Sequence, residues 1–387
     1  MKKIMALIMV SVILCYGLTA CAPAATAGMQ SLGSDDKLQI VTTIFPEYDW
    51  VMNVLGDNPA GAEVTMLLDN GVDLHSYQPT ADDILKIAGC DLFIYVGGES
   101  DGWVDDALHE AVNKDMKVLN LMEIMGDSAK AEELVEGMQE SEHDHDHDHD
   151  HEEEAEEHDH EEGEAEEHEH EEGEAEEHEH VEGEREEHDH EEGEAEEHEH
   201  DHEHEEGEVE YDEHVWLSLK NAAVFTEKIS EAIAAIDPDN AGVYEANSKE
   251  YTEKLMALDE EYTDVVTDAK KDTVLFGDRF PFRYLTDDYG LTYYAAFIGC
   301  SAETEASFET VTFLANKVDE LSLNAVMTIE GNDHRIAETV VENTQNKDQK
   351  ILTLDSMQAT TSEDVANGAK YYDIMKNNLA VLKEALD

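Results

Sequence analysis

The stretch 142–213 contains almost no apolar side chain, so it cannot join a hydrophobic core, and the fold must be built from the segments on either side. It holds 42 of the chain's 97 Asp and Glu residues and 17 of its 21 histidines, with Arg185 its one basic residue. The decapeptide EEGEAEEHEH occurs whole at 161–170, 171–180 and 191–200, with variants at 151–160 and 181–190. A repeat without an apolar stripe has nothing to stack, so it reads as a disordered surface loop, not a solenoid. Its chemistry is the alternation of imidazole with carboxylate. Both are common ligands for divalent ions, and many overlapping pairs suit weak, exchangeable metal collection. Each imidazole binds only when neutral, so collection should weaken as pH falls through about 6.5.

The run carries roughly half of the net charge of −74, and the remaining chain is still strongly acidic. Such a surface repels phosphate backbones, which excludes nucleic acid as a partner and favours cations. At the N-terminus, Lys2 and Lys3 precede a mostly apolar stretch, Ile4 to Tyr16, and then Leu18-Thr19-Ala20-Cys21. This is similar to a bacterial lipobox. It makes 1–20 a lipoprotein signal peptide, Cys21 the lipidated anchor of an extracytoplasmic chain, and 21–36 a flexible tether. Cys90 and Cys300 have no C-x-x-C spacing and read as buried thiols, with no bridge indicated.

The flanking segments alternate short apolar strands with helical patterns. Strands are expected at 38–44, 63–68, 91–96 and 117–121, and again at 273–277, 292–297, 324–330 and 350–354, with helices between them. Tyr244, Tyr251, Leu255, Leu258 and Tyr262 recur at helical spacing within one long helix. The fold class is therefore α/β, with two (βα)n lobes of parallel sheet joined by one long rigid helix. The N-terminal lobe spans 37–141 and is completed by a helix within 214–239, the linking helix covers 240–271, and the C-terminal lobe covers 272–387.

In open parallel sheets ligands bind beyond the carboxyl ends of the strands. Metal-competent side chains at those ends are His75 after the second strand, Asp278 after TVLFG, Glu330 closing NAVMTIE and Asp355 after KILTL, with His214 at the border of the acidic run. Asp278 and Asp355 could equally be helix N-caps. His109 and His334 lie in helical patterns and read as surface residues.

Two segments carry a family resemblance: Gly71-x-Asp73-x-His75-x-Tyr77-x-Pro79, and Asp212-x-His214-Val215-Trp216-Leu217-Ser218. With them the chain resembles the metal-binding receptor lipoproteins of bacterial zinc and manganese ABC importers. Its His-rich insert just before the second segment is similar to that of the zinc-specific branch. The resemblance implies His75 and His214 as metal ligands, a metal site in the cleft between the lobes, Zn²⁺ as cargo, and a membrane permease as partner of a monomeric, non-enzymatic receptor. A Mn²⁺ or Fe²⁺ receptor, or a zinc-buffering or adhesin lipoprotein, is the alternative. No H-E-x-x-H motif or nucleophile–base set points to hydrolysis. The family's third ligand lies ten residues before a Tyr-Gly-Leu, which here is Arg279. A guanidinium stays protonated and cannot ligate. The remaining ligands are open among Asp278, Asp355, Glu330 and Glu303 or Glu305, water, and the acidic run itself.

Overall fold

The computed structural model describes residues 37–139, 210–301, 305–331 and 334–387. The expected signal peptide, Cys21, the tether and nearly all of the acidic run lie outside the described residues. Each lobe is built on a four-stranded, wholly parallel sheet. The first contains β1 (Gln39–Thr42), β2 (Glu63–Met66), β3 (Leu92–Tyr95) and β4 (Lys117–Asn120) in the order β2-β1-β3-β4. The second contains β5 (Thr273–Phe280), β6 (Thr292–Ile298), β7 (Ala325–Ile329) and β8 (Lys350–Leu354) in the order β6-β5-β7-β8. The two lobes thus repeat one winding, and in each the strand order reverses beside the first strand, where a crevice opens at the carboxyl ends.

The link is the helix Ala241–Asp268, about 42 Å long at the α-helical rise. Its buried side has hydrogen-bonding partners in both lobes. Near its start, Asn247 Nδ2 donates to Val54 O at 3.0 Å and Tyr251 OH donates to Asp49 Oδ2 at 3.2 Å. Near its end, Tyr262 OH donates to Met375 O at 2.6 Å, and Asp259 Oδ1 accepts from Tyr289 OH at 2.9 Å. Tyr251 and Tyr262 therefore do more than fill a core: each phenol ring is buried while its hydroxyl satisfies a partner across the interface, whereas Tyr244 OH donates to Asp237 just before the helix. Among the described residues, no helix is long and apolar enough to cross a membrane.

Three differences from the sequence reading have clear causes. The last helical pattern is two helices, Ser362–Ala366 and Tyr371–Leu386, because Gly368 between them adopts φ +99°, which a helix cannot contain. Strand β5 does not stop at Gly277 but runs on through Phe280, with a register shift between Phe276 and Arg279. Residues 129–139, expected in the N-terminal lobe, run over the C-terminal one. Lys130 N donates to Tyr284 OH at 3.0 Å and Gln139 N to Ala296 O of β6 at 2.9 Å, which covers that edge strand.

Candidate metal centre

The residues of the two recognised segments have local tasks, beginning with Gly71, which turns the chain at φ +79°. Asp73 Oδ1 accepts from His75 N at 3.0 Å and caps the 3₁₀ turn Leu74–Ser76. Tyr77 OH donates to Asp83 Oδ2 at 3.0 Å, and Pro79 leads into Thr80, which caps the helix Ala81–Gly89. Together these hold His75 on a short, stiff turn. In the second segment, Asp212 Oδ1 accepts from both His214 N (2.9 Å) and His214 Nδ1 (3.0 Å). The buried 3₁₀ turn Val215–Leu217 follows, and Trp216 Nε1 donates across to Ser356 O of the C-terminal lobe at 2.8 Å. Ser218 Oγ then accepts from Asn221 N at 3.1 Å and starts the helix Leu219–Ile236.

The two imidazoles, 139 positions apart in sequence, meet with His75 Nε2 and His214 Nε2 3.2 Å apart. Both Nδ1 atoms are occupied from behind. His75 Nδ1 shares a hydrogen bond with Ser100 Oγ at 2.7 Å and lies 3.4 Å from Glu213 Oε2, and His214 Nδ1 is held by Asp212. Anchoring one ring nitrogen by carboxylate or hydroxyl is how proteins aim the other at a metal. Two nitrogens bound to one tetrahedral Zn²⁺ at about 2.0–2.1 Å stand about 3.3 Å apart, close to the separation found here. Among the described residues, a third ligand-competent atom joins them: Cys300, with His75 and His214, forms a group whose donor atoms all lie within 4.8 Å of one another.

The surroundings are acidic. Burial alone would raise the Glu213 carboxyl, but contacts with His75 and Ser100 outweigh it and hold it below the ordinary value. Burial likewise opposes charge on Asp73, yet Arg279 and His75 bring it below the usual carboxylate range. His214 is fully buried, which disfavours imidazolium, but Asp212, Glu213 and Asp73 prevail and raise it. Behind Glu213 lies Asp101, pushed up to about 7 by burial and by Glu213.

The carboxylates expected as further ligands have other partners. Asp278 sits inside β5, where its Oδ2 accepts from Thr328 Oγ1 (2.7 Å) and Ile329 N (3.2 Å) of β7. It ties two strands whose backbone register is otherwise the single pair Phe276–Met327. The longer β5 is the reason: Asp278 is a strand residue and not a rim residue. Asp355 does follow β8, but its Oδ1 accepts from Met357 N at 2.8 Å, and burial beside Glu330 pushes it up to about 6. Glu330 accepts from Ser356 N, Ser356 Oγ and Gln358 N, which fixes the 356–358 loop. Neither Asp278 nor Asp355 belongs to the His75–His214–Cys300 group. Glu305 is exposed and Glu303 lies outside the described residues.

Arg279 is turned into a clamp. Its Nη2 donates to Asp73 Oδ2 at 2.7 Å across the cleft, and its Nη1 donates to Ser301 O at 3.3 Å. Gln358, with its amide oriented as its neighbours require, donates to both Asp73 oxygens (3.1 and 2.8 Å) and accepts from His214 Nε2 at 3.1 Å. Reasoning from sequence missed Ser100, Cys300 and Gln358. All three follow a strand at its carboxyl end, so the rim rule would have found them had it been applied to every residue type.

Compared with known proteins, the chain matches the ZnuA family, described as zinc-uptake complex component A, periplasmic, over residues 40–385. It is 29% identical over 369 residues to the zinc-binding lipoprotein AdcA of Streptococcus pneumoniae serotype 4, an alignment covering 95% of this chain and 59% of that protein. The chain thus spans less than two thirds of that relative's length. It is 28% identical over 367 residues to the high-affinity zinc uptake system protein ZnuA of Bacillus subtilis, covering 95% of this chain and 93% of that one. Its fold is shared with the Zn(II)-bound ZnuA-like domain of Streptococcus pneumoniae AdcA, at a TM-score of 0.59 and 24% identity over 91% of this chain and all of that one. Because the match runs through both lobes and both histidine segments, the chain belongs to the ZnuA family.

Proposed function

We propose that the protein captures Zn²⁺ outside the cytoplasm and delivers it to the permease of an ABC importer, with His75 and His214 as ligands. The observation that carries this reading is the 3.2 Å meeting of two Nε2 atoms whose rings are both anchored through Nδ1. That preorganisation suits an ion. Family membership and the zinc-binding names of the relatives support zinc as cargo. The site binds and releases its ion without turnover, as a receptor and not an enzyme. The lipobox-like Leu18-Thr19-Ala20-Cys21 supports anchoring through lipid on Cys21, and the reading is of a monomer.

In the same reading the His-rich run gathers zinc for this site. The described segments on either side of 140–209 are hydrogen-bonded to each other: Glu132 N donates to Glu210 O at 2.9 Å and Asp212 N to Lys130 O at 2.8 Å. The second of these leads directly into His214. The test is calorimetric titration with Zn²⁺. A chain lacking 142–209 should keep one tight site and lose only the weak ones, while His75→Ala and His214→Ala should each weaken the tight site at least about 100-fold. A tight site lost with the run but indifferent to both alanines would overturn the assignment.

A further inference from the structure

We propose that Cys300 supplies the third ligand, as a thiolate, so that the site is a His₂Cys centre in which sulfur replaces the ligand lost to Arg279. This rests on the His75–His214 reading above and deepens it.

Cys300 lies two residues beyond β6, at the same carboxyl rim as the rest of the site. The chain that bears it is pressed against the second histidine. A Cβ built on Gly299 would stand 2.9 Å from His214 Cε1 and 3.1 Å from its Nδ1, so only glycine lets this backbone approach so closely. The turn is held on both sides. Cys300 N donates to Glu132 Oε1 at 3.3 Å, from the 129–139 strap, and Ser301 O accepts from Arg279. The residue that cannot ligate therefore fixes the turn of the one that can. An N and an S on one tetrahedral Zn²⁺, at about 2.0 and 2.3 Å, stand about 3.6 Å apart. One donor atom from each of the three side chains lies within 4.8 Å of the others, so a thiol rotation or a small shift would close them on an ion. Burial first, and then Glu132, Asp212 and Glu213, raise the Cys300 thiol, so the thiolate forms only with the ion in place, and the same carboxylates favour a dication. As the ion enters, the sulfur–zinc bond forms from the sulfur lone pair and the thiol proton leaves to solvent, as does any proton on His214 Nε2, whose lone pair the ion takes. Soft sulfur favours zinc and disfavours manganese, so this ligand would also set the choice of metal.

The test is Co²⁺ substitution of the full chain, read by absorption. Thiolate bound to Co²⁺ gives a near-ultraviolet charge-transfer band, which the histidines and carboxylates of the 142–213 run cannot produce. The wild type should show the band at one equivalent. Cys300→Ser should abolish it, lower Zn²⁺ affinity by roughly 100-fold and change Mn²⁺ affinity far less. Stoichiometric Co²⁺ binding without the band, or wild-type zinc affinity in Cys300→Ser, would overturn the thiolate while leaving the histidine site standing. Co²⁺ and Zn²⁺ binding that survives both His75→Ala and His214→Ala would instead sink the site itself.

Discussion

His214 shows how much of a binding site is decided behind the ligand. Its imidazole is buried, its Nδ1 donates to Asp212, and its Nε2 faces His75 and the Gln358 amide. Burial pulls its pKa down, yet Asp212, Glu213 and Asp73 raise it above the ordinary value. A proton and a metal compete for the same lone pair, so zinc affinity should begin to fall at a pH above the usual histidine value of about 6.5. Asp212→Asn keeps the shape and removes the charge. It should lower zinc affinity about 10- to 100-fold at pH 7.5 and move the onset of proton competition to lower pH. Chelator competition across pH measures both, and an unshifted onset would mean that Asp212 does not act through this ring. The histidines themselves were legible in sequence because each sits within a multi-residue segment. Cys300 was not, because a lone cysteine carries no spacing signal until the fold brings it to a partner.

Within elements, the N-terminal lobe keeps a chain of carboxylates beneath the metal centre. Glu47 is fully buried, accepts from Thr43 N and Ile44 N, and is raised by burial first and Asp101 next. Asp101 accepts from Gly97 N at 2.9 Å and is pushed up to about 7 by burial, with Glu213 adding to it. The folded protein therefore holds a proton on Asp101 that the unfolded chain releases near pH 4, so this group's contribution to stability is lost as pH rises from about 4 to about 7. Asn mimics the protonated acid. Thermal unfolding of Asp101→Asn should match wild type near pH 4 and exceed it increasingly toward pH 7, and a constant difference across that range would refute the assignment. The eight strands of the described residues were read at their places along the chain, since apolar runs of four to eight bounded by turn residues are a strong signal, but their order within each sheet was not. The extent of β5 was not. Gly277-Asp278-Arg279 looks like a strand end in one dimension, and only its neighbours keep it extended: β6 pairs Phe297 and Ile298 with Arg279 and Phe280, and β7 offers Thr328 and Ile329 to Asp278.

Across the whole molecule, the lobes are joined by the helix Ala241–Asp268 and closed by contacts over the cleft. Arg279 pairs with Asp73, Ser362 N donates to Asp69 O at 2.8 Å, and Trp216 Nε1 bonds Ser356 O. The Arg279–Asp73 pair is partly open to solvent, 19% and 22% exposed, so screening limits it to about 1 kcal/mol. Arg279→Gln should leave the melting temperature within a few degrees and speed zinc release about fivefold, measured by stopped-flow chelation. Release at the wild-type rate would show that the clamp does not govern opening. Periodicity and the two histidine segments already carried the α/β class, the two lobes, the linking helix and the pair of imidazoles, because those depend on local pattern and on residue types set in recognisable spacing. Which side chains gather around the two imidazoles depends on packing. Arg279, Cys300, Gln358 and Asp278 are each chemically ambiguous alone. Their roles follow from distances between strands far apart in sequence, and nothing in a one-dimensional pattern encodes those distances.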